Sequence, residues 1–213
     1  MTAAARPPVR RRMSADERRE QLLAAALVEF GSRGFHATQM EHVSARADVS
    51  KALVYQHFMS KDELFAEVTG RIVDTYVERL PQIVAAALDP LSAWREAVRL
   101  LVEVVEAAPE SWALVARYLA DPELGVALRD MRESMYDALA QLLIGFYEGP
   151  RRTRKQVREV VEPTVPLLVG ALQGMLTWWV EHPSVPRAQV EQSAVEFGWL
   201  GLDRMRRGDS LPE

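Results

Sequence analysis

The apolar positions Leu22, Ala26 and Phe30, flanked by Leu23 and Leu27, recur at i, i+4 and i+8. That spacing lines one side of a helix and predicts an amphipathic first element. Gly34 follows, able to take the left-handed backbone that closes a helix, and Phe35 is placed to pack back over the last turn. Three capping boxes punctuate the region: Ser14 with Glu17, Thr38 with Glu41, and Ser60 with Glu63. In such a box the hydroxyl and the carboxylate each satisfy a backbone N–H that the helix start would otherwise leave bare. The pattern predicts a second helix from Thr38 to about Ala47, a turn at Asp48-Val49, and a third helix capped by Ser50 and ending near Phe58. A longer helix then starts at Lys61. Two short helices joined by a tight turn make a helix-turn-helix.

No period-two alternation marks a strand, and no internal repeat appears. Prolines at 81, 90, 109, 122, 150, 163, 166, 183 and 186 punctuate the remainder, leaving helical blocks at 90–107, 109–120, 122–148, 151–182 and 186–207. Pro122 and Pro186 fall where the first helical position tolerates proline. The fold class predicted is all-α, with about nine helices: an N-terminal helix-turn-helix head and a C-terminal helical bundle. The divisions expected are a basic arm over 1–13, a head over 14–72 with its motif at 38–58, a body over 73–207 and a tail over 208–213.

Composition narrows the function classes. A hydrophobic content of 48% supports a packed core, and the absence of Cys removes disulfides, thiolate metal sites and thiol nucleophiles. The basic start is not followed by an apolar run, so it does not read as a signal peptide. The longest apolar stretch, 165–180, contains Gln173 and Thr177 and is shorter than the roughly 20 residues of a membrane span. A cytoplasmic protein with no membrane partner is expected. The net charge of −4 conceals an asymmetry: residues 1–61 carry ten Arg or Lys against six Asp or Glu, a balance of +4. A basic head on an acidic body points to a polyanion for the head alone, although Arg6, Arg10, Arg11 and Arg12 precede the first helix.

On the third helix, Val54 and Phe58 are one turn apart and mark the inward face; Ala52 and Gln56 lie opposite, with Lys51 and Tyr55 on one flank and Leu53 on the other. The outward face suits a duplex. Ala52 permits close approach, Lys51 matches guanine acceptors and Gln56 matches adenine. Tyr55, His57 and Lys61 suit phosphate oxygens, and the Thr38 hydroxyl would stand at a positive helix end. The stretch "LLAAALVEFGSRGFHATQMEHVSARADVSKALVYQHFMSKDELFAEV" carries the aromatic-Gly end of helix one, the Thr opening helix two, Tyr-x-His-Phe in helix three and Ser-Lys-x-x-Leu opening helix four. With these, residues 14 to about 72 resemble the DNA-binding head of the TetR/AcrR family of bacterial transcriptional regulators. Asp48 stands where that family usually has Gly, and Leu53 where many members carry a hydroxyl residue.

The resemblance implies a ligand-binding and dimerising body. Leu167–Val180 is apolar nearly all round, which predicts burial on more than one side. The last helix carries Val190, Ala194, Phe197 and Gly201 on one stripe, with Gly198 beside it. These two helices resemble the pair that each subunit of the family contributes to a four-helix dimer interface, so a homodimer on a palindromic duplex operator is expected. Candidate effector-lining residues are Trp94, Trp112, Arg117, Tyr118, Met135, Gln173, Thr177 and Trp178, an apolar set with a few polar groups for orientation. The expected effector is a mainly apolar or aromatic small molecule that releases a repressor from its operator; no cofactor or metal is called for. The other readings are an architectural or activating DNA-binding protein without such a switch, and a helical enzyme. None of His36, His42, His57 and His182 is spaced with a second ligand or carboxylate for metal or acid–base work, and no nucleophile motif appears.

Overall fold

The computed structural model describes residues 13–118, 126–147 and 154–207. Among them are nine α-helices and no strand. They are α1 (Ala15–Arg33), α2 (Met40–Arg46), α3 (Lys51–His57), α4 (Lys61–Ala86), α5 (Pro90–Ala107), α6 (Pro109–Tyr118), α7 (Val126–Tyr147), α8 (Arg154–Glu181) and α9 (Arg187–Arg207). The expected tail and all but the last residue of the expected arm lie outside the described residues, as do positions 119–120, 122–125, 148 and 151–153 of the expected helical blocks. The chain divides into two compact units, one ending at Leu64 and the other beginning at Phe65.

In the first unit, Ser14 and Glu17 form the expected reciprocal cap on α1, with the Glu17 N–H donating to Ser14 Oγ and the Ser14 N–H to Glu17 Oε2. Gly34 ends α1 at φ 80°, where its N–H reaches the Phe30 carbonyl, and the rings of Phe35 and Phe30 stack with centroids 6.0 Å apart. Leu22, Leu23, Ala26, Phe30, Met40, Val43, Val54 and Phe58 are buried and form the core of the three short helices. Asp48 makes the turn between α2 and α3 at φ 52°, a left-handed conformation that Asp adopts more readily than most residues. Ser50 caps α3 by accepting from the Leu53 N–H.

Two of the three expected boxes differ in detail. The α2 cap is Gln39, not Thr38: the Gln39 N–H donates to His42 Nδ1, so Glu41 is free for another partner. Ser60 accepts from the Glu63 N–H as expected, but the Glu63 carboxylate takes the Met59 N–H instead of that of Ser60.

In the second unit, α5 starts from Asp89, whose carboxylate accepts from the Ser92 N–H, with Pro90 at the first helical position. That hydrogen bond holds the Asp89 carboxyl below its ordinary range. The face of α5 carrying Ala93, Trp94, Ala97 and Val98 is buried, and α5 packs on α9. Trp94 makes that contact specific: its indole N–H donates to the Val195 carbonyl, and its ring lies so close to Gly198 that a Cβ there would come within 2.2 Å of it. The expected α9 stripe therefore splits. Val190, Ala194, Gly198 and Leu202 turn inward, whereas Phe197 and Gly201 turn outward. Pro81 does not break the chain, since α4 continues through it to Ala86. Pro186 precedes α9 instead of opening it and supplies its carbonyl to the Gln189 and Val190 N–H groups.

Helix α8 packs against α6, α7 and α9. By length and composition alone Lys155–Glu181 could cross a membrane, with a mean hydropathy of 1.3. Val157, Val161, Val165, Leu168 and Leu176 are instead buried within the bundle. Its other face, with Leu167, Gly170, Gly174 and Trp178, is exposed.

Candidate functional site

The outward face of α3 emerges as its sequence requires. Val54 and Phe58 are fully buried, which fixes the rotation of the helix and leaves Lys51, Ala52, Tyr55 and Gln56 exposed, with Leu53 and His57 half-buried. The rear is braced by Arg19, whose guanidinium donates to the His57 carbonyl at 2.8 Å and lies 4.4 Å over the Phe58 ring. Gln21 closes the other end by donating to the Ala47 carbonyl.

Between α1 and α2 is a charged clamp that periodicity does not reveal. The buried Glu29 carboxylate accepts from Arg33 within α1, at 2.7 Å, and from Arg46 at the end of α2, at 2.5 Å. Burial by itself would raise its pKa, but the hydrogen bonds and charges of the two arginines outweigh that and hold it below the ordinary value.

Three of the duplex-contact candidates have partners within the chain. Thr38 is buried, with its hydroxyl within reach of the Glu29 and Gly34 carbonyls, so it braces the loop and does not offer itself to a phosphate. Lys61 is half-buried, donates to the Phe35 carbonyl at 3.0 Å and lies over the Phe35 ring. It thereby ties the start of α4 to the loop after α1. Lys51 stays on the outward face but is ion-paired to Glu41 of α2. The hydrogen bond to Lys51 holds the Glu41 carboxyl below its ordinary range and raises the ammonium correspondingly.

The effector candidates do not form one cluster. Trp94 is committed to α9, as above. Trp178 is 47% exposed and stacks on His182 at 4.5 Å, so it faces away from the bundle interior. Arg117 is exposed, while Met135 and Thr177 are half-buried. On α6, Trp112 and Tyr118 are buried, the Tyr118 ring meeting that of Phe65 edge-on at 5.3 Å, and the Gln173 amide of α8 donates to the Ala116 carbonyl at 2.9 Å. The Trp112 indole N–H is buried and finds no acceptor among the described residues. Separately, an apolar groove of about 310 Å³ runs between α8 and α9, with Trp94, Leu168, Met175 and Phe197 among its walls.

A short helix held from behind by a three-helix core and carrying small and polar residues outward defines the class of helix-turn-helix DNA-binding proteins. Residues 22–68 match the model of the bacterial regulatory proteins of the tetR family. Over 196 residues the chain is 29% identical to the HTH-type transcriptional activator FasR of Mycolicibacterium smegmatis, covering 91% of this chain and 87% of that one. A TetR-like transcriptional regulator from Rhodococcus sp. RHA1 superposes with a TM-score of 0.70 at 26% identity, over 90% of this chain and 99% of that one. The regulator FadR of Bacillus subtilis, in complex with stearoyl-CoA, is similar in fold, with a TM-score of 0.62 at 13% identity over 84% of this chain and 96% of that one. Residues 22–68 thus carry the tetR-type DNA-binding region, and the chain as a whole is similar in sequence and fold to TetR-family transcriptional regulators.

Proposed function

We propose that the protein is a homodimeric, effector-responsive regulator that binds a palindromic duplex operator through α3 and is released from it by a mainly apolar small molecule. The observation that carries the DNA-binding part is the exposed Lys51, Ala52, Tyr55 and Gln56 face of a helix whose opposite side is fully buried at Val54 and Phe58. Lys51 and Gln56 have the donors for base edges, and Tyr55 and His57 suit phosphates.

Dimerisation is supported by the outward faces of α8 and α9. Leu167, Phe197 and Leu200 are each more than two-thirds exposed, beside Gly170, Gly174 and Gly201. Large apolar side chains interleaved with glycines offer a close helix–helix contact to a second copy, and the groove between these helices continues the same face. The effector reading rests on two groups of the second unit: the buried Trp112 N–H of α6, without an acceptor among the described residues, and the half-buried Gln173 of α8. An effector with a long apolar part and one carbonyl-type acceptor fits those groups, and stearoyl-CoA is the first probe. A tenfold release requires the effector to prefer the non-binding state by only about 1.4 kcal/mol.

The test is a duplex selected by the wild-type protein from a random library, compared with a scrambled duplex of the same composition. Lys51→Ala and Gln56→Ala should each cost about 1–3 kcal/mol on the selected duplex and much less on the scrambled one. Equal losses on both would remove α3 as the reader of sequence. A second reading, activation in place of repression, is favoured by the extended match to FasR, an activator. Transcription in vitro with and without the effector separates the two.

A further inference from the structure

We propose that Glu41 is a specificity-determining residue, which holds Lys51 at the base-reading corner of α3 and keeps it off the phosphates of unrelated duplexes. This rests on the reading that the outward face of α3 meets DNA. Lys51 is the first residue of α3, where a cation faces the positive end of the helix dipole. Glu41, in the first turn of α2, supplies the opposing charge across the turn. Both side chains are about half exposed, at 50% and 51%, so the pair adds little to the stability of the fold. Its cost falls elsewhere. Glu41 leaves a carboxylate at the edge of the exposed face of α3, where any duplex must tolerate it.

The pair therefore sets up an exchange. A duplex that engages Lys51 must replace Glu41 as its partner. A guanine edge in register does so with directional acceptors, whereas a bare phosphate row offers charge alone. Non-specific binding is almost wholly phosphate electrostatics, so a carboxylate that occupies a lysine and repels the backbone weakens that mode most. The Tyr55 ring, 5.7 Å from the Lys51 ammonium, lies on the same side of α3 and limits where the released side chain can go. Glu41 is available for this pairing because the α2 cap lies at Gln39, where His42 supplies the reciprocal bond.

The test is Glu41→Gln in the full chain, which keeps shape and removes charge, on the selected and scrambled duplexes across a salt series. Scrambled-duplex affinity should rise about three- to tenfold at low salt, with the salt slope steeper by about one unit as Lys51 gains a phosphate. Affinity for the selected duplex should change less than twofold, so the specificity ratio falls about fivefold. In a Lys51→Ala background the same substitution should change the ratio less than twofold, because only the backbone repulsion is then relieved. Equal gains on both duplexes, or no gain on either, would overturn the proposal. If Lys51→Ala itself leaves the wild-type ratio unchanged, the fault lies instead with the assignment of α3 as the reading helix.

Discussion

Gly198 and Gly201 are three residues apart on α9, yet their surroundings are opposite. A Cβ at Gly198 would strike the Trp94 ring, whereas one at Gly201 meets nothing within 4 Å. A glycine of the first kind allows close packing inside one chain; a glycine of the second kind has open space beside it among the described residues. The same distinction separates the tryptophans. Trp94 and Trp179 are buried with their indole N–H groups on the carbonyls of Val195 and Val185, while Trp112 is buried with no acceptor among the described residues. A buried donor without an acceptor costs about 1–3 kcal/mol, so removing it should not harm the fold. Trp112→Phe is therefore expected to leave thermal stability unchanged or slightly raised while weakening effector binding about tenfold, about 1.4 kcal/mol for one lost hydrogen bond. Titration of stearoyl-CoA by calorimetry, alongside a melt, checks both halves.

Among the elements, the α1–α2 pair depends on Glu29. Its contribution is complete above the unfolded carboxyl range, near pH 4.5, and is lost as pH falls through its lowered folded value. Acid should loosen the first unit through this group. Glu29→Gln is expected to cost about 1–2 kcal/mol at pH 7 and to flatten the stability of α1–α3 below pH 5. NMR-detected denaturant unfolding of the α1–α3 amides, at pH 7 and pH 4, measures it; an undiminished acid response in the variant would assign the effect to another carboxylate. Helix α3 also shows how few residues orient an element. It is seven residues long, with only Val54 buried inside it and Phe58 at its end. That is too short to be stable alone, so packing holds it.

At the scale of the molecule, the exposed faces of α8 and α9 give the proposed dimer its test. Gly201→Arg introduces a large charge where the single chain has open space, so any loss is a loss of association. The variant is expected to sediment as a monomer at micromolar concentration and to bind the selected duplex at least a hundredfold more weakly, about 2.7 kcal/mol, with its α-helical content retained. A wild-type chain that is monomeric under the same conditions yet binds the palindrome tightly would rule out the dimer.

The head was readable in the sequence because its determinants are local. The Ser14–Glu17 box, the Gly34 stop, the Ser50 cap and the Val54–Phe58 spacing each act within about one helical turn, and each is found where the pattern put it. The exposed residues of α3 follow directly, since burying one side of so short a helix leaves no choice for the other. The tertiary structure decided which partner each charged or aromatic side chain takes. Lys51 meets Glu41 ten positions earlier, Lys61 reaches carbonyls at Phe35 and His36, and Arg46 closes on Glu29. Such choices depend on how helices cross, which periodicity within one helix does not encode. For the same reason the α9 stripe divided between an inward face against Trp94 and an outward one, and Trp178 turned to His182 on the surface. A helical pattern identifies apolar positions, but only the packing of neighbouring helices determines which of them the chain buries for itself and which it leaves exposed.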